Sequence, residues 1–526
     1  MRSSVTIVLF ALLFLAMGSL AVAQSVGTAG QTSPPAPATT PTGDNSAGAS
    51  KAEVDQLRQE IAAQRQLIEQ LKGLVQQLAD VKTTASAPDG SRLVNATLTQ
   101  PAASDAEQAA DKKPADKPAG ATSGWNGDHF FVKSADGQFQ LQPYGYFQND
   151  YRAYHGDAAP PNTFVVRRAR FGFQGNYGKY YDFALLIDGA AGNGISLRDL
   201  YINIKPKPEF QITVGQFKEP FAQDELVGVT NIDFVERSLA SLLYPSASTA
   251  YRSPGASIHG DLSGGVAQYW LGAFNGKGIL TNNTTNQPEV VGRLRFYPWK
   301  KHKDSMIQGL AFGGSVAVGK SRGLSNETSF TAALPDGSFT FFPSFPINGQ
   351  IRRYNGEFAW VHSRWGVRGE YDELQQRRTG VGSLQSGGLG FQSLPTIKAK
   401  AGYLQGTYLL TGETRPENGT PKVKHPVLAS ESTGGRAWGA WELAFRYDYI
   451  QGNEPGFVDN NPFTPSAVAP FFDHTSAYTA GVNWYPNYWV KYMVDFSVDQ
   501  LKQPSINAGT LPQNYFVVLQ RLQFRF

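Results

Sequence analysis

Hydrophobic and polar residues alternate one by one along much of the chain after Trp125, and the C-terminus shows the pattern at its plainest. In YFVVLQRLQFRF, Phe516, Val518, Leu522, Phe524 and Phe526 share one face, whereas Arg521, Gln523 and Arg525 share the other. Successive side chains of a β-strand point to opposite faces, so one face of this segment suits an apolar environment and the other suits water. The alternation recurs in Trp438 to Ile450, where Trp441, Leu443, Phe445 and Tyr447 oppose Glu442, Arg446 and Asp448. Between Tyr488 and Asp499, Val490, Tyr492, Val494, Phe496 and Val498 oppose Lys491, Asp495, Ser497 and Asp499.

Segments of this kind number sixteen. They lie near 139–151, 164–175, 181–188, 197–204, 210–217, 255–262, 266–274, 289–298, 306–318, 351–361, 366–376, 397–410, 437–450, 476–485, 488–499 and 514–526. Short connections such as NYGKY, KPKPE, LSGG, SRWG and YPN alternate with long ones at 218–253, 319–350, 377–396 and 451–475. That asymmetry is what a closed membrane barrel requires, with tight turns on one side and long loops on the other. The connection 411–436 breaks the rule, being long although its parity places it among the short turns; a miscounted strand or an unusual turn is expected there. A soluble β-sandwich is disfavoured because aromatic side chains recur on the outward face of nearly every segment, where a sandwich would bury one face of each sheet against the other. The fold expected is all-β: a transmembrane antiparallel barrel of about sixteen strands, preceded by a short coiled-coil helix.

The N-terminal quarter is built differently. Arg2, the apolar stretch Val5 to Leu15 and the small-residue tail Ala21-Val22-Ala23 have the form of a secretory signal peptide over 1–23. Residues 24–50 are rich in Pro, Thr, Ser, Ala and Gly and read as a flexible linker, since they hold too little apolar surface to offset the entropy of ordering. In 51–82, Val54, Ile61, Ile68 and Val75 occupy one heptad position and Leu57, Gln64, Leu71 and Leu78 another, which predicts a coiled coil. Gln64 interrupts the seam, and two-stranded and three-stranded arrangements both stay open. A second linker follows over 83–124, and 125–526 is the barrel domain.

Composition sharpens this picture. With 33 Phe, 23 Tyr and 9 Trp the chain can furnish lipid-facing bands and girdles, although only 41% of its residues are hydrophobic and no run of roughly eighteen apolar residues marks a spanning helix. Cysteine is absent, which rules out disulfides and thiolate chemistry. A formal charge of +4 leans toward anionic solutes without the concentrated basic field of a nucleic-acid binder. The sequence Gly314 to Ser321 satisfies the phosphate-loop pattern, yet Val316 and Val318 continue a strand and no helix start follows, so nucleotide binding is not expected. The seven histidines show no metal-ligand spacing. No catalytic residue, metal or cofactor is expected, and an enzyme is not.

At Arg167-Arg168-Ala169-Arg170, LRDLYINIKPKPEFQITVGQFKEPF (197–221) and FVERS (234–238), the chain closely resembles the phosphate-selective porin O and P family. The motif residues are Gly215, Gln216, Phe217, Lys218, Glu219, Pro220, Phe221, Glu236, Arg237 and Ser238; LTGE (410–413), WGAWELAFRYDY (438–449), GVNWYPN (481–487) and the C-terminal LQRLQFRF extend the likeness over roughly 125–526. The resemblance implies an outer-membrane homotrimer passing small anions such as phosphate or polyphosphate, with Lys218 to Ser253 folded into the barrel as a constriction. The terminal Phe526 resembles the aromatic signal read by the barrel-assembly machinery. The N-terminal segment would then lie in the periplasm, within reach of peptidoglycan, while the barrel meets outer-membrane lipid.

Strand parity turns Arg168, Arg170, Arg293, Arg295, Arg353, Arg368, Arg446, Lys491, Arg521 and Arg525 toward the lumen, and the loop adds Lys218, Arg237 and Arg252 as candidates for an anion path. The same parity turns in Asp182, Asp188, Asp199, Glu357, Glu370, Asp372, Glu442, Asp448, Asp495 and Asp499. Two readings of these charges stand side by side, a ladder for anions and wall pairs that only hold structure. A general or sugar-selective porin, or a structural tether from outer membrane to peptidoglycan, are the alternatives to an anion channel.

Overall fold

The computed structural model describes residues 120–526 apart from 127–128, 157–158, 191–193, 303–304, 322–328, 339, 382–391, 428–436, 453–473 and 503–513. The expected signal peptide, first linker and coiled coil lie outside the described residues. Strands β1 (Thr122–Trp125) and β2 (Phe130–Lys133) form a hairpin that joins the start of β3 (Phe139–His155). There follow β4 (Thr163–Tyr177), β5 (Tyr181–Asp188), β6 (Ser196–Lys207), β7 (Phe210–Lys218), β8 (Arg252–Leu262), β9 (Ala267–Phe274), β10 (Glu289–Phe296) and β11 (Ala311–Ser321). A separate hairpin, β12 (Ser329–Ala333) and β13 (Thr340–Pro346), sits within one long loop. The chain continues through β14 (Gly349–His362), β15 (Trp365–Val381), β16 (Gln392–Leu409), β17 (Ala440–Gly452), β18 (His474–Tyr485), β19 (Val490–Lys502) and β20 (Asn514–Arg525).

Apart from the two hairpins, each strand pairs antiparallel with the next, and β20 pairs with β3 from Arg525 opposite Tyr146 to Phe516 opposite His155. Closure yields the sixteen-stranded barrel expected from the alternation and leaves that sheet without an edge. The strand expected from 306 begins at Ala311, because 305–310 form turns on the rim, with Gln308 N donating to Ser305 O at 3.0 Å. The strand expected from 437 begins at Ala440. The strands on either side of 411–436 pair as expected and the connection is unusual: its described part, 411–427, buries Glu413 and Arg415 against the inside of the barrel.

Alternation sorts the two faces. Leu443, Phe445, Phe496, Val498, Phe516, Leu522 and Phe524 are exposed on the outside, and Glu442, Arg446, Lys491, Asp495, Arg521 and Gln523 are buried on the inside. Trp125 of the first hairpin stacks on Trp489 at 4.9 Å, and Trp489 stacks in turn on Phe524, so an aromatic cluster covers the rim beside the C-terminus. Gly145 and Phe526 exchange two backbone hydrogen bonds of 3.0 Å, which fixes the terminal residue in the closing seam.

The interior is not simply wet. Loop 219–251, with one helical turn α1 (Gln223–Leu226) and a 3₁₀ turn at Leu239–Leu243, lies within the lumen. Its Phe221, Leu239, Leu242, Leu243 and Tyr244 join a buried cluster with Leu374, Ile397, Ala399, Ala401 and Ile450 of the inner wall. Burial of that apolar ridge, at about 25 cal/mol per Å2, holds the loop against β15–β17.

Candidate functional site: the constricted lumen

Ion pairs pin the loop that the ridge has seated. Glu236 accepts from Arg152 Nη2 at 2.7 Å and from Arg167 Nε at 2.8 Å, joining the loop to β3 and β4. Arg237 donates to Val227 O at 2.7 Å and pairs with Asp224 at 3.3 Å, while the Ser238 hydroxyl donates to Asp224 at 3.0 Å. The Glu-Arg-Ser motif therefore ties the loop first to the wall and then to itself. Asp233 receives Arg368 Nη2 and Gln405 Nε2, each at 2.7 Å, as well as Arg415. Burial pushes the Asp233 carboxyl upward, but Arg368, Arg415 and Lys491 outweigh it and hold the group at about 2. Glu236 is likewise held well below the usual carboxylate range, its burial outweighed by Arg167, Arg152 and Arg521.

The loop divides the lumen into unlike halves. Toward β10–β19 the inward arginines Arg293, Arg295, Arg353, Arg368 and Arg446 are paired with carboxylates, while Lys491 Nζ donates to Ile232 O at 2.7 Å. Arg293 and Arg295 meet Glu357, Arg353 meets Glu289 at 2.5 Å, Arg368 meets Asp233, and Arg446 meets Asp448 at 2.5 Å. On the seam, Arg521 of β20 meets Asp150 of β3. Here the reading as structural wall pairs describes the geometry.

Toward β3–β8 a cavity of about 330 Å3 stays open between loop and wall. Arg170, Lys218, Arg252 and Arg525 line it together with Tyr144, Tyr146, the chain-terminal Phe526 and one side-chain carboxylate, Asp199. Arg252 takes Asp199 in two bonds of 2.8 and 2.9 Å. Arg170 donates to Asp188 at 2.7 Å and to the Tyr146 hydroxyl at 2.7 Å. Lys218 Nζ donates to the carbonyl oxygens of Glu225 and Val227 and has no carboxylate within ion-pair distance among the described residues. Two positions before Arg170 on the same face, Arg168 donates to Gln148 Oε1 at 2.9 Å, and among the described residues it has no carboxylate partner and its Nε no hydrogen-bond partner. Arg525 lies with its guanidinium 3.9 Å from the Tyr488 ring centroid.

Two inward arginines escape strict parity. The β3–β4 register shifts between Gln148 and Asn149, so Arg167 is an extra residue in its strand; the β5–β6 register shifts between Leu186 and Ile187, so Arg198 is another. Such bulges re-aim a side chain. Arg167 thereby reaches Glu236, and Arg198 comes to 3.3 Å from Asp188, which it shares with Arg170. Adjacent charged residues in RRAR and LRDLY were the available signal, since strict alternation sends one of each pair into lipid.

A family model, phosphate-selective porin O and P, matches residues 140–526. The chain belongs to this family. It is an outer-membrane porin, and its barrel supplies the water-accessible path across the membrane. Porin O of Pseudomonas aeruginosa is 33% identical over 131 residues, a match covering 25% of this chain and 27% of Porin O. An uncharacterised protein of Caulobacter vibrioides is 26% identical over 428 residues, covering 77% of this porin and 79% of the relative. Among solved structures, the anion-selective porin of Comamonas acidovorans is 10% identical, with a TM-score of 0.45 and coverage of 74% of this chain and 100% of its own.

Proposed function

We propose that this porin passes small anions, inorganic phosphate and polyphosphate among them, along the half of the lumen next to β3–β8. One observation carries the reading: the open cavity is lined by Arg170, Lys218, Arg252 and Arg525 against the single side-chain carboxylate Asp199, and among the described residues Lys218 and the neighbouring Arg168 have no carboxylate within ion-pair distance. In the opposite half, by contrast, Arg293, Arg295, Arg353, Arg368 and Arg446 are paired and Lys491 is held by Ile232 O. An anion in the cavity gains charge-assisted hydrogen bonds from Arg170, Lys218 and Arg252 in exchange for part of its hydration. Asp188 and Asp199 moderate that attraction, which favours release as well as entry. Arg525 adds to the cavity lining and Arg168 extends the path beside Arg170, while Arg237, Arg293, Arg295, Arg353, Arg368, Arg446, Lys491 and Arg521 belong to the framework.

In this reading three copies assemble, Phe526 is presented to the barrel-assembly machinery, and residues 1–23 are removed on export. The segment 51–82 forms a periplasmic coiled coil that reaches toward peptidoglycan. The decisive measurement is the reversal potential of the purified porin in a KCl gradient across a planar bilayer, followed by phosphate added as a blocker of chloride current. Anion preference weakened by Arg168→Gln with Lys218→Gln supports the proposal. A parent channel without ion preference points instead to a general or sugar-selective porin. Deleting 51–82 separates conduction from tethering, since a tether loses envelope integrity while the channel keeps its conductance.

A further inference from the structure

The described part of the connection between β16 and β17, residues 410–427, reaches from the end of β10 to the β18–β19 turn and meets the inward loop between them. Arg415 N donates to Ser363 O at 2.7 Å, and Glu417 then accepts from Arg295 Nη2 at 2.5 Å and from the Tyr297 hydroxyl at 3.0 Å next to β10. Further along, Thr420 Oγ1 comes to 3.4 Å from Asn231 Oδ1 of the loop, and Val427 N donates to Pro486 O at 2.7 Å in the β18–β19 turn. Residues 410–427 thus touch walls on both sides of the loop's tip.

Arg415 is the joint between them. One end of its guanidinium donates to Asp233 of the loop and the other to Glu442 of β17 at 2.5 Å, with all three side chains almost wholly buried. Glu442 is fixed in turn by the Tyr485 hydroxyl at 2.7 Å and by Asn483 Nδ2 at 3.2 Å, and Asn483 also donates to Asp233 O at 2.8 Å. A planar guanidinium can bridge two carboxylates in this manner, and an ammonium cannot do so with the same geometry. The loop itself holds a strained backbone, with positive φ at Ala222, Ser246, Ala250 and Tyr251, which persists only where surroundings over-determine it.

We infer that Arg415 is a positioning residue for the constriction, through which the 410–427 connection braces the inward loop and sets the width of the conducting path. The inference rests on the porin channel and not on anion preference: conductance and open-channel noise report the brace, whereas reversal potential reports the proposed selectivity, so the two can fail separately.

The chain has no cysteine, so a pair introduced by Asn231→Cys and Thr420→Cys forms the sole disulfide and can replace the joint. Single channels of the full mature chain are recorded for the parent, Arg415→Gln, Arg415→Lys, Glu417→Gln and Arg415→Gln carrying the cysteine pair. The expected result is loss of the quiet open level and a higher conductance in Arg415→Gln, not rescued by Arg415→Lys and reversed by oxidising the pair. Glu417→Gln, which loosens the brace at Arg295, itself bonded to Gln223 of the loop at 2.8 Å, gives the same effect in weaker form. Should Arg415→Gln not fold, Glu417→Gln with and without the oxidised pair makes the same comparison. Parent-like conductance and noise in the folded variants, or excess noise that oxidation leaves unchanged, overturns the inference.

Discussion

Arg521 and Asp150, 371 positions apart, face each other across the strand pair that closes the barrel, joined by hydrogen bonds of 2.7 and 2.8 Å with neither side chain exposed. Arg521 also donates to Val235 O, so the same guanidinium ties the seam to the inward loop. Removing Arg521 leaves buried Asp150 with Arg152 as its remaining cation, so the cost stays below the roughly 3–5 kcal/mol of a fully stranded buried charge, and removing both partners recovers part of the loss. Arg521→Met is therefore expected to lower the urea midpoint of the detergent-refolded barrel below that of Asp150→Asn with Arg521→Met. Equal midpoints for the single and double variants would contradict this account of the seam.

Gly215 of the GQFKEPF motif has φ of +133°, and a Cβ there meets Leu200 O at 2.2 Å and Tyr201 Cα at 2.7 Å. Neither atom can withdraw without breaking the β6–β7 ladder. Gly215→Ala is expected to reduce the yield of heat-modifiable, folded barrel on electrophoresis, while Gly406→Ala, whose Cβ meets nothing within 4 Å, leaves it unchanged.

The carboxyls that hold the loop, Asp233 and Glu236, are depressed from ordinary values of 3.8 and 4.5, Asp233 to about 2. A depressed carboxylate contributes stability that is complete above its unfolded value and is lost as pH falls through its folded value. The stabilisation from these two anchors should be complete at neutral pH and be lost progressively as pH falls from the ordinary values toward the depressed ones. Single-channel recordings of the parent should show larger current fluctuations that set in below about pH 5 and that are missing from Asp233→Asn with Glu236→Gln, where both anchors are already neutral; a parent-like acid transition in that double variant would show that other groups control the loop.

Glu236 alone faces Arg152, Arg167 and Arg521, with Arg168 beside them. Glu236→Gln leaves these guanidiniums facing one carboxylate, Asp150, which Arg152 and Arg521 already share. The expected outcome is a looser loop with greater anion preference, read as larger current fluctuations together with a more anion-directed reversal potential. A quieter or less anion-preferring channel would refute it.

Much of this architecture was legible in the alternation. Lipid outside and charged lumen inside make period two an unusually clean signal, so all sixteen barrel strands could be placed and Arg521, Glu442 and Asp495 assigned to the interior. Where a bulge adds a residue the parity slips, and Arg167 and Arg198 were lost for that reason. Inward Ala399, Ala401 and Ile450 carried no message until the apolar ridge of the loop was known to cover them. The hairpins β1–β2 and β12–β13 are too short to stand out by period, and Arg415 lies in a segment of Pro, Gly and Thr whose course is set by distant partners. Which lumen charges are neutralised is a matter of three-dimensional pairing, beyond the reach of a count by parity.

Closing the sheet between β3 and β20 also constrains how the chain reaches its native state. That last pairing joins segments separated by nearly the whole domain, so its loop-closure entropy is met late, after the local hairpins have formed, and high contact order slows such steps. Until Phe526 docks beside Gly145 the first and last strands are open edges able to recruit other chains. Speed of refolding, more than final stability, is the property that variation at this seam should govern.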